Sequence, residues 1–186
     1  MMVMKMVMKV VIQKVTTYDL TIAGVEVTSV NCDDLSAIDG VSGTVKYDPA
    51  NKVLTLQNAT ISSNNGAIYS NINGLTIKAI GTNNLTSVGY TAIHSRKPLT
   101  IMGGGVLNVK SKSECAIYAN GTNLTIENCT VNAEGGAYGI AGNNGENEKL
   151  TIRNAKVTAI GKGDGSIRGI TKLETIGCSI TEPTGA

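Results

Sequence analysis

The sequence predicts an all-β fold: a single-stranded, right-handed parallel β-helix of about five coils with an N-terminal β-hairpin cap. Three observations predict it. First, Leu-Thr-Leu/Ile recurs at Leu54, Leu75, Leu99, Leu124 and Leu150, with a degenerate copy at Leu173-Glu-Thr-Ile176. A period of 21 to 26 residues that drifts by insertion is the signature of a solenoid. Second, Phe and Trp are absent and 22 of 186 residues are Gly, so the core must be built from stacked aliphatics and tight corners rather than from bulky rings. Third, apolar residues alternate with polar ones in short runs, and helical periodicity is missing.

Taken in order, residues 1–17 form an N-terminal extension or edge strand. Met2, Met4, Met6, Met8, Val10 and Ile12 share one face at period two, while Lys9 interrupts any signal-peptide apolar region. Residues 18–53 read as the hairpin cap. Tyr18–Ile22 and Val25–Ser29 flank Ala23-Gly24, and Gly43–Tyr47 and Lys52–Leu56 flank Asp48-Pro-Ala-Asn51, with one helical turn over Asp33–Ile38 between the hairpins. Such a cap covers the first coil's open edge.

Residues 54–186 form the coils, each with three short strands. The first strand is Leu-Thr-Ile. The second is Ala59-Thr-Ile61, Val106–Val109, Cys129-Thr-Val131, Ala155-Lys-Val157 or Cys178-Ser-Ile180. The third is Ala67-Ile-Tyr69, Ala92-Ile-His94, Ala116-Ile-Tyr118, Gly139-Ile140 or Gly169-Ile170. Gly- and Asn-rich pieces, Gly81-Thr-Asn-Asn84 among them, supply the corners. Equivalent strands of successive coils then stack ~4.8 Å apart, and right-handedness follows from the general preference of parallel connections.

The string Tyr18–Ser29, then Gly43–Pro49, then Leu54–Ile61 resembles the opening module of β-helical domains in bacterial cell-surface and secreted proteins, often labelled carbohydrate-binding domains and similar in shape to pectate lyases. The resemblance spans residues 18–186. It implies an extracellular or cell-surface location, further domains of a longer surface protein beyond Ala186, and a C-terminal cap missing from this chain.

Charge excludes several functions. The net charge is +2, and setting aside Lys5, Lys9 and Lys14 leaves a near-neutral body without the basic stripe of a nucleic-acid binder. No run reaches the length of an apolar membrane span. Four Cys (32, 115, 129 and 178) and the lone His94 have no metal-ligand spacing, so the thiols read as small buried hydrophobes and neither metal nor cofactor is expected. Polysaccharide lyases and glycoside hydrolases, the alternative on this scaffold, need clustered carboxylates. Glu114, Glu127, Glu134, Glu146, Glu148, Asp164, Glu174 and Glu182 scatter instead over different columns and turns. His94 has no carboxylate in sequence or in register, and the reading is non-catalytic.

The candidate binding surface is the outward column of the third strand. Tyr69, His94 and Tyr118 fall in three consecutive coils, one above another, as a flat ladder able to stack on sugar faces. Asn71, Arg96 and Asn120, with Asn73 and Lys97, stand just beyond to bond hydroxyls, and Tyr90 and Tyr138 lie near the preceding corner. A second outward column, Thr55, Thr76, Thr100, Thr125 and Thr151, is interrupted on its flank by Lys78, Glu127 and Arg153 and reads as ordinary strand composition rather than an ice-binding face. The N-x-T sequons at Asn58, Asn84, Asn120, Asn123 and Asn128 read as corner asparagines. The expected partners are a polysaccharide or glycan, neighbouring domains and, through an open terminal coil, a second copy end to end.

Overall fold

The computed structural model describes residues 12–163 and 165–178. These form a parallel β-solenoid of about five turns, and no described residue is helical. The chain enters through a hairpin of β1 (Thr17–Ile22) and β2 (Val25–Thr28), followed by β3 (Val41–Asp48) and the eleven-residue β4 (Val53–Ser63). The coils continue with β5 (Ile68–Ser70), β6 (Leu75–Ile80), β7 (Thr82–Ser87), β8 (Ile93–Ser95), β9 (Leu99–Met102), β10 (Val106–Ser111) and β11 (Ile117–Ala119). They end with β12 (Leu124–Glu127), β13 (Thr130–Gly135), β14 (Tyr138–Gly142), β15 (Lys149–Arg153), β16 (Lys156–Gly161), β17 (Gly165–Arg168) and β18 (Lys172–Ile176).

Three columns of parallel strands result. The first stacks the start of β4 on β6, β9, β12, β15 and β18; the second stacks the end of β4 on β7, β10, β13 and β16; the third stacks β5, β8, β11, β14 and β17. Inward residues meet like residues. Leu75, Leu99, Leu124, Leu150 and Leu173 pair in succession, as do Ile68, Ile93, Ile117, Ile140 and Ile167. All but the last of each file are buried. Flat strands carrying one branched aliphatic per coil fill the narrow interior without any Phe or Trp.

The N-terminal elements close every column. β3 runs antiparallel along the whole of β4, covering the first two columns, and β1 runs antiparallel to β5, covering the third. Because β4 bends at Asn58 (φ 47°), β3 must bend with it. It does so at a bulge on Gly43 (φ 78°), where a β-carbon would lie 2.3 Å from the Asn58 carbonyl oxygen. The outer edge of β3 is in turn covered by residues 31–38, through Leu35 N–H to Val45 O (2.8 Å) and Tyr47 N–H to Cys32 O (2.7 Å). An edge so covered is blunted against pairing with other chains.

Several expectations need correction. Asp33–Ile38 forms turns and bends rather than a helical turn, with the Asp34 carboxylate accepting the Ser36 N–H (2.9 Å). Leu54 pairs with Ile77 instead of Leu75, so Thr55 faces Lys78 and stands outside the threonine file, which runs Thr76, Thr100, Thr125 and Thr151. Thr82-Asn-Asn84, read with Gly81 as a corner, opens β7 (Thr82–Ser87), a full member of the second column. The fifth copy of the third strand is Ser166-Ile167-Arg168, with Ile167 rather than Ile170 pairing with Ile140, three residues earlier than expected, and Gly169-Ile170 follows it. Residues 12–16 form no strand, residues 1–11 lie outside the described residues, and of Cys178-Ser-Ile180 only Cys178 lies within them.

The corner between the first two columns explains much of the Asn and Gly content. Asn58, Asn128 and Asn154 (φ 47° to 49°) and Gly81 and Gly177 (φ 65° and 64°) all adopt the left-handed conformation there. The Asn58 side chain accepts the Thr82 N–H (3.2 Å) and lies over Gly81, where a β-carbon would approach Asn58 Oδ1 to 2.1 Å. Asn58 therefore demands Gly at 81, and Asn154, over Gly177 in the same way, demands Gly there. Asn84, by contrast, lies on a strand and begins an outward ladder in which Asn108 donates to Asn84 (2.9 Å) and Asn132 to Asn108 (2.8 Å). Asn83 points inward, fully buried, accepting the Ala59 N–H (2.9 Å) and donating to the Ile80 and Val106 carbonyls. Satisfied on both ends of its amide, it is tolerated among aliphatics.

Candidate functional site

The third column carries the site. Alternation turns Ile68, Ile93 and Ile117 inward and the following residue outward, so register places Tyr69 beside His94 and His94 beside Tyr118. The file ends there, because the next outward positions are Ala141 and Arg168. Each strand closes on a small inward residue. Ser70 accepts the Ile72 N–H (3.1 Å) and Ser95 donates to the Lys97 carbonyl (2.6 Å), turning the chain into the next coil.

The rings do not lie flat on one another. Centroids are 5.2 Å apart for Tyr69 and His94 and 5.0 Å for His94 and Tyr118, but the planes meet at 80° and 62°. The flat ladder expected from the sequence is replaced by edge-to-face packing, the arrangement that ring quadrupoles prefer at this spacing. Beside the file lies a recess of about 350 Å³ lined by Tyr69, His94 and Tyr118 and, from the preceding corners, Asn65, Tyr90 and Glu114. Tyr90 is 60% exposed, an unusual position for a large ring.

The recess opens on the corner before the third strand, not after it. Asn71, Asn73, Arg96, Lys97 and Asn120 continue beyond the opposite end and do not line it. Arg96 reaches back over the outer ring, its guanidinium carbon 5.9 Å from the Tyr69 centroid. Tyr138 lies one coil further, where Arg168 stands over its ring (5.2 Å) and hydrogen-bonds its hydroxyl. Sequence reasoning missed Asn65, which lines the recess, and two further residues. Asn143 accepts the Tyr118 hydroxyl (3.0 Å), and Glu114 brings a carboxylate to the recess of His94. The repeat itself carried a signal for Glu114, which lies three residues before Ile117 as Gly66-flanking Asn65 and Tyr90 lie three before Ile68 and Ile93.

Burial holds His94 below the ordinary imidazole value of 6.5, and the Arg96 charge lowers it further. Its Nε2 is buried without a hydrogen-bond partner. Burial likewise raises the Tyr118 phenol, with Cys115 and Glu148 adding to the effect. The His94 shift has a measurable consequence. A lowered histidine pKa means that the unfolded chain binds the proton more readily, so stability falls as pH drops from 6.5 toward the folded value. His94→Phe keeps a ring in the file and is expected to flatten this part of the pH profile in urea unfolding; an unchanged slope would contradict the burial of His94.

The other described carboxylates of the coils lie away from the recess. Glu134 pairs with Lys110 (3.2 Å) and Lys162 (2.7 Å), Glu127 with Arg153 (3.4 Å), and Glu174 with Lys149. Glu148 is buried in a loop. Asp164 and Glu182 lie outside the described residues. Among the described residues no three of His, Cys, Asp and Glu gather as a metal site. Cys32, Cys115 and Cys129 are buried free thiols and Cys178 is half-buried. Burial pushes the Cys129 thiol up to about 11, and its Sγ donates to the Ile101 carbonyl (3.6 Å), so it packs as a small apolar group. No described helix is long and apolar enough to cross a membrane. Comparison of the chain with protein-family models, with curated proteins and with solved structures finds no match.

Proposed function

We propose that this chain is a non-catalytic structural and adhesive module of a bacterial surface protein, a pectate-lyase-like solenoid in shape, located outside the cell and binding glycans weakly. One observation carries the reading: four rings from three coils, Tyr69, Tyr90, His94 and Tyr118, converge on one recess with Tyr90 largely exposed. Its volume sits at the low end of the ~300–1,000 Å³ of small-molecule sites and suits one or two sugar units. Sugar C–H faces pack on ring faces, while the Tyr hydroxyls and the Asn65 amide meet hydroxyl groups. A single carboxylate in the recess does not make the acid and base pair of glycoside hydrolysis, which supports a binding rather than a cleaving role.

The experiment is a multivalent glycan array followed by calorimetry on Tyr90→Ala and on Tyr69→Ala/Tyr118→Ala. Binding with Kd near ~1 mM, about −4 kcal/mol, is expected for the native chain, and loss of it for both variants with the β-sheet circular dichroism retained. Unchanged binding would remove the recess from the account. Failure to bind any glycan would make the module a spacer, and product release from a polysaccharide would make it an enzyme.

A further inference from the structure

We infer that the recess recognises its glycan through a positively charged amino group, so that the ligand is an amino sugar bearing a free ammonium rather than a neutral or acidic sugar. The inference rests on the glycan-binding reading above and narrows it. The first argument is geometric. Tyr69, Tyr90, His94 and Tyr118 line one recess, and the stacked rings are inclined at 80° and 62° to their neighbours rather than forming a flat platform. A recess lined by several such rings attracts an ammonium through the ring quadrupole. The protein uses this chemistry twice in the same column, with Arg96 over Tyr69 and Arg168 over Tyr138.

The second argument is charge. Glu114 is the charged side chain that lines the recess, and it is a carboxylate. No Lys or Arg lines it; Arg96 comes over the Tyr69 ring from the other end of the strand, 5.9 Å from the centroid, without entering the lining. An acidic sugar would meet Glu114 without a counter-charge, whereas an ammonium would meet both the carboxylate and the ring faces. The chain as a whole carries a net +2, so attraction of a cationic ligand must come from a local feature and not from the overall field. The third argument is the state of His94. Burial, and after it the Arg96 charge, disfavours the charged imidazole, and Nε2 is buried without a hydrogen-bond partner, so His94 enters the recess as a ring on which a repelling charge is disfavoured.

The test compares three probes by calorimetry below the pKa of the sugar amine: a fully deacetylated β-1,4-glucosamine oligomer, the N-acetylated oligomer of the same length, and choline. The deacetylated oligomer is expected to bind at least about tenfold more tightly than the acetylated one, a difference of about 1.4 kcal/mol. Glu114→Gln is expected to reduce that preference severalfold, and Tyr90→Ala to weaken binding of both oligomers. Equal affinity for the two oligomers, unchanged in Glu114→Gln, overturns the inference and leaves the glycan reading intact. Binding of choline without either oligomer supports the ammonium site and overturns the glycan reading. Binding of none of the three overturns both.

Discussion

Glu148→Ala is expected to cost about 3 kcal/mol or more of stability, the largest loss for any single polar group in the described residues. The side chain is 1% exposed and sits at the corner where the loop after β14 rejoins the solenoid at β15. Its Oε1 accepts backbone N–H groups from Asn143 (2.7 Å), Gly121 (3.2 Å) and Asn144 (3.4 Å), and its Oε2 accepts that of Asn147 (3.0 Å). One carboxylate thus organises the loop and ties it to the previous coil. Alanine would leave four donors without partners, and donors that face a charged acceptor are the costly ones to orphan. Burial, the largest single influence, pushes this carboxyl up, yet the N–H groups of Asn147, Asn143 and Asn144 together hold it below the ordinary glutamate value of 4.5. Its contribution is therefore complete above 4.5 and is lost as pH falls through the lower folded value. That window lies below the one assigned to His94, so urea unfolding across both ranges separates the two groups. Glu148→Gln, which keeps the shape and half of the acceptor capacity, is expected to fall between the native chain and Glu148→Ala. A loss under 1 kcal/mol for Glu148→Ala would show that the loop is held by other contacts.

Ile117→Asp is expected to prevent folding altogether, whereas Tyr118→Ser, one residue later, leaves the fold intact. Ile117 is 1% exposed at the middle of the inward isoleucine file, with Ile93 on one side and Ile140 on the other. An unpaired carboxylate there costs several kcal/mol, comparable to the ~5–15 kcal/mol that holds a whole domain together. Even Ile117→Ala is expected to cost about 2–5 kcal/mol through the cavity it leaves. Tyr118 faces outward, partly exposed, and its loss removes the bond to Asn143 and the contact with His94. Sheet alternation makes neighbouring residues opposite in consequence. Soluble expression and thermal unfolding of the two variants check the pair, and equal effects would contradict the register.

The sequence made the stacking legible wherever one residue type recurs at one place in the coil. Leu75, Leu99, Leu124, Leu150 and Leu173 align as expected, and so do Tyr69, His94 and Tyr118. Legibility failed where local chemistry disguised the structural role. Asn83 and Asn84 carry turn composition, yet hydrogen bonds to backbone and to neighbouring Asn side chains make them strand residues. Leu54 slips by two because β4 passes the first corner without a break and takes its register from the cap. The fifth copy falls at Ile167 rather than Ile170, because β17 ends at Arg168 and Gly169 (φ 65°) already turns the chain. The recess was only half legible. Register foretells which rings share a column, but the inclination of the rings and the side on which a hollow opens depend on side-chain packing between coils. That packing brought Tyr90 and Glu114 in and left Asn71, Arg96 and Asn120 out.

The account stands on distant segments being brought into one file, and His94 makes that directly measurable because it is the only histidine in the chain. Its ring protons give unambiguous nuclear Overhauser effects in a protein with isotopically labelled tyrosine. Cross-peaks from the imidazole to two tyrosine rings, one lost in Tyr69→Leu and the other in Tyr118→Leu, are the predicted result. An imidazole with cross-peaks to neither ring would contradict both the stacking of the coils and the site built on it.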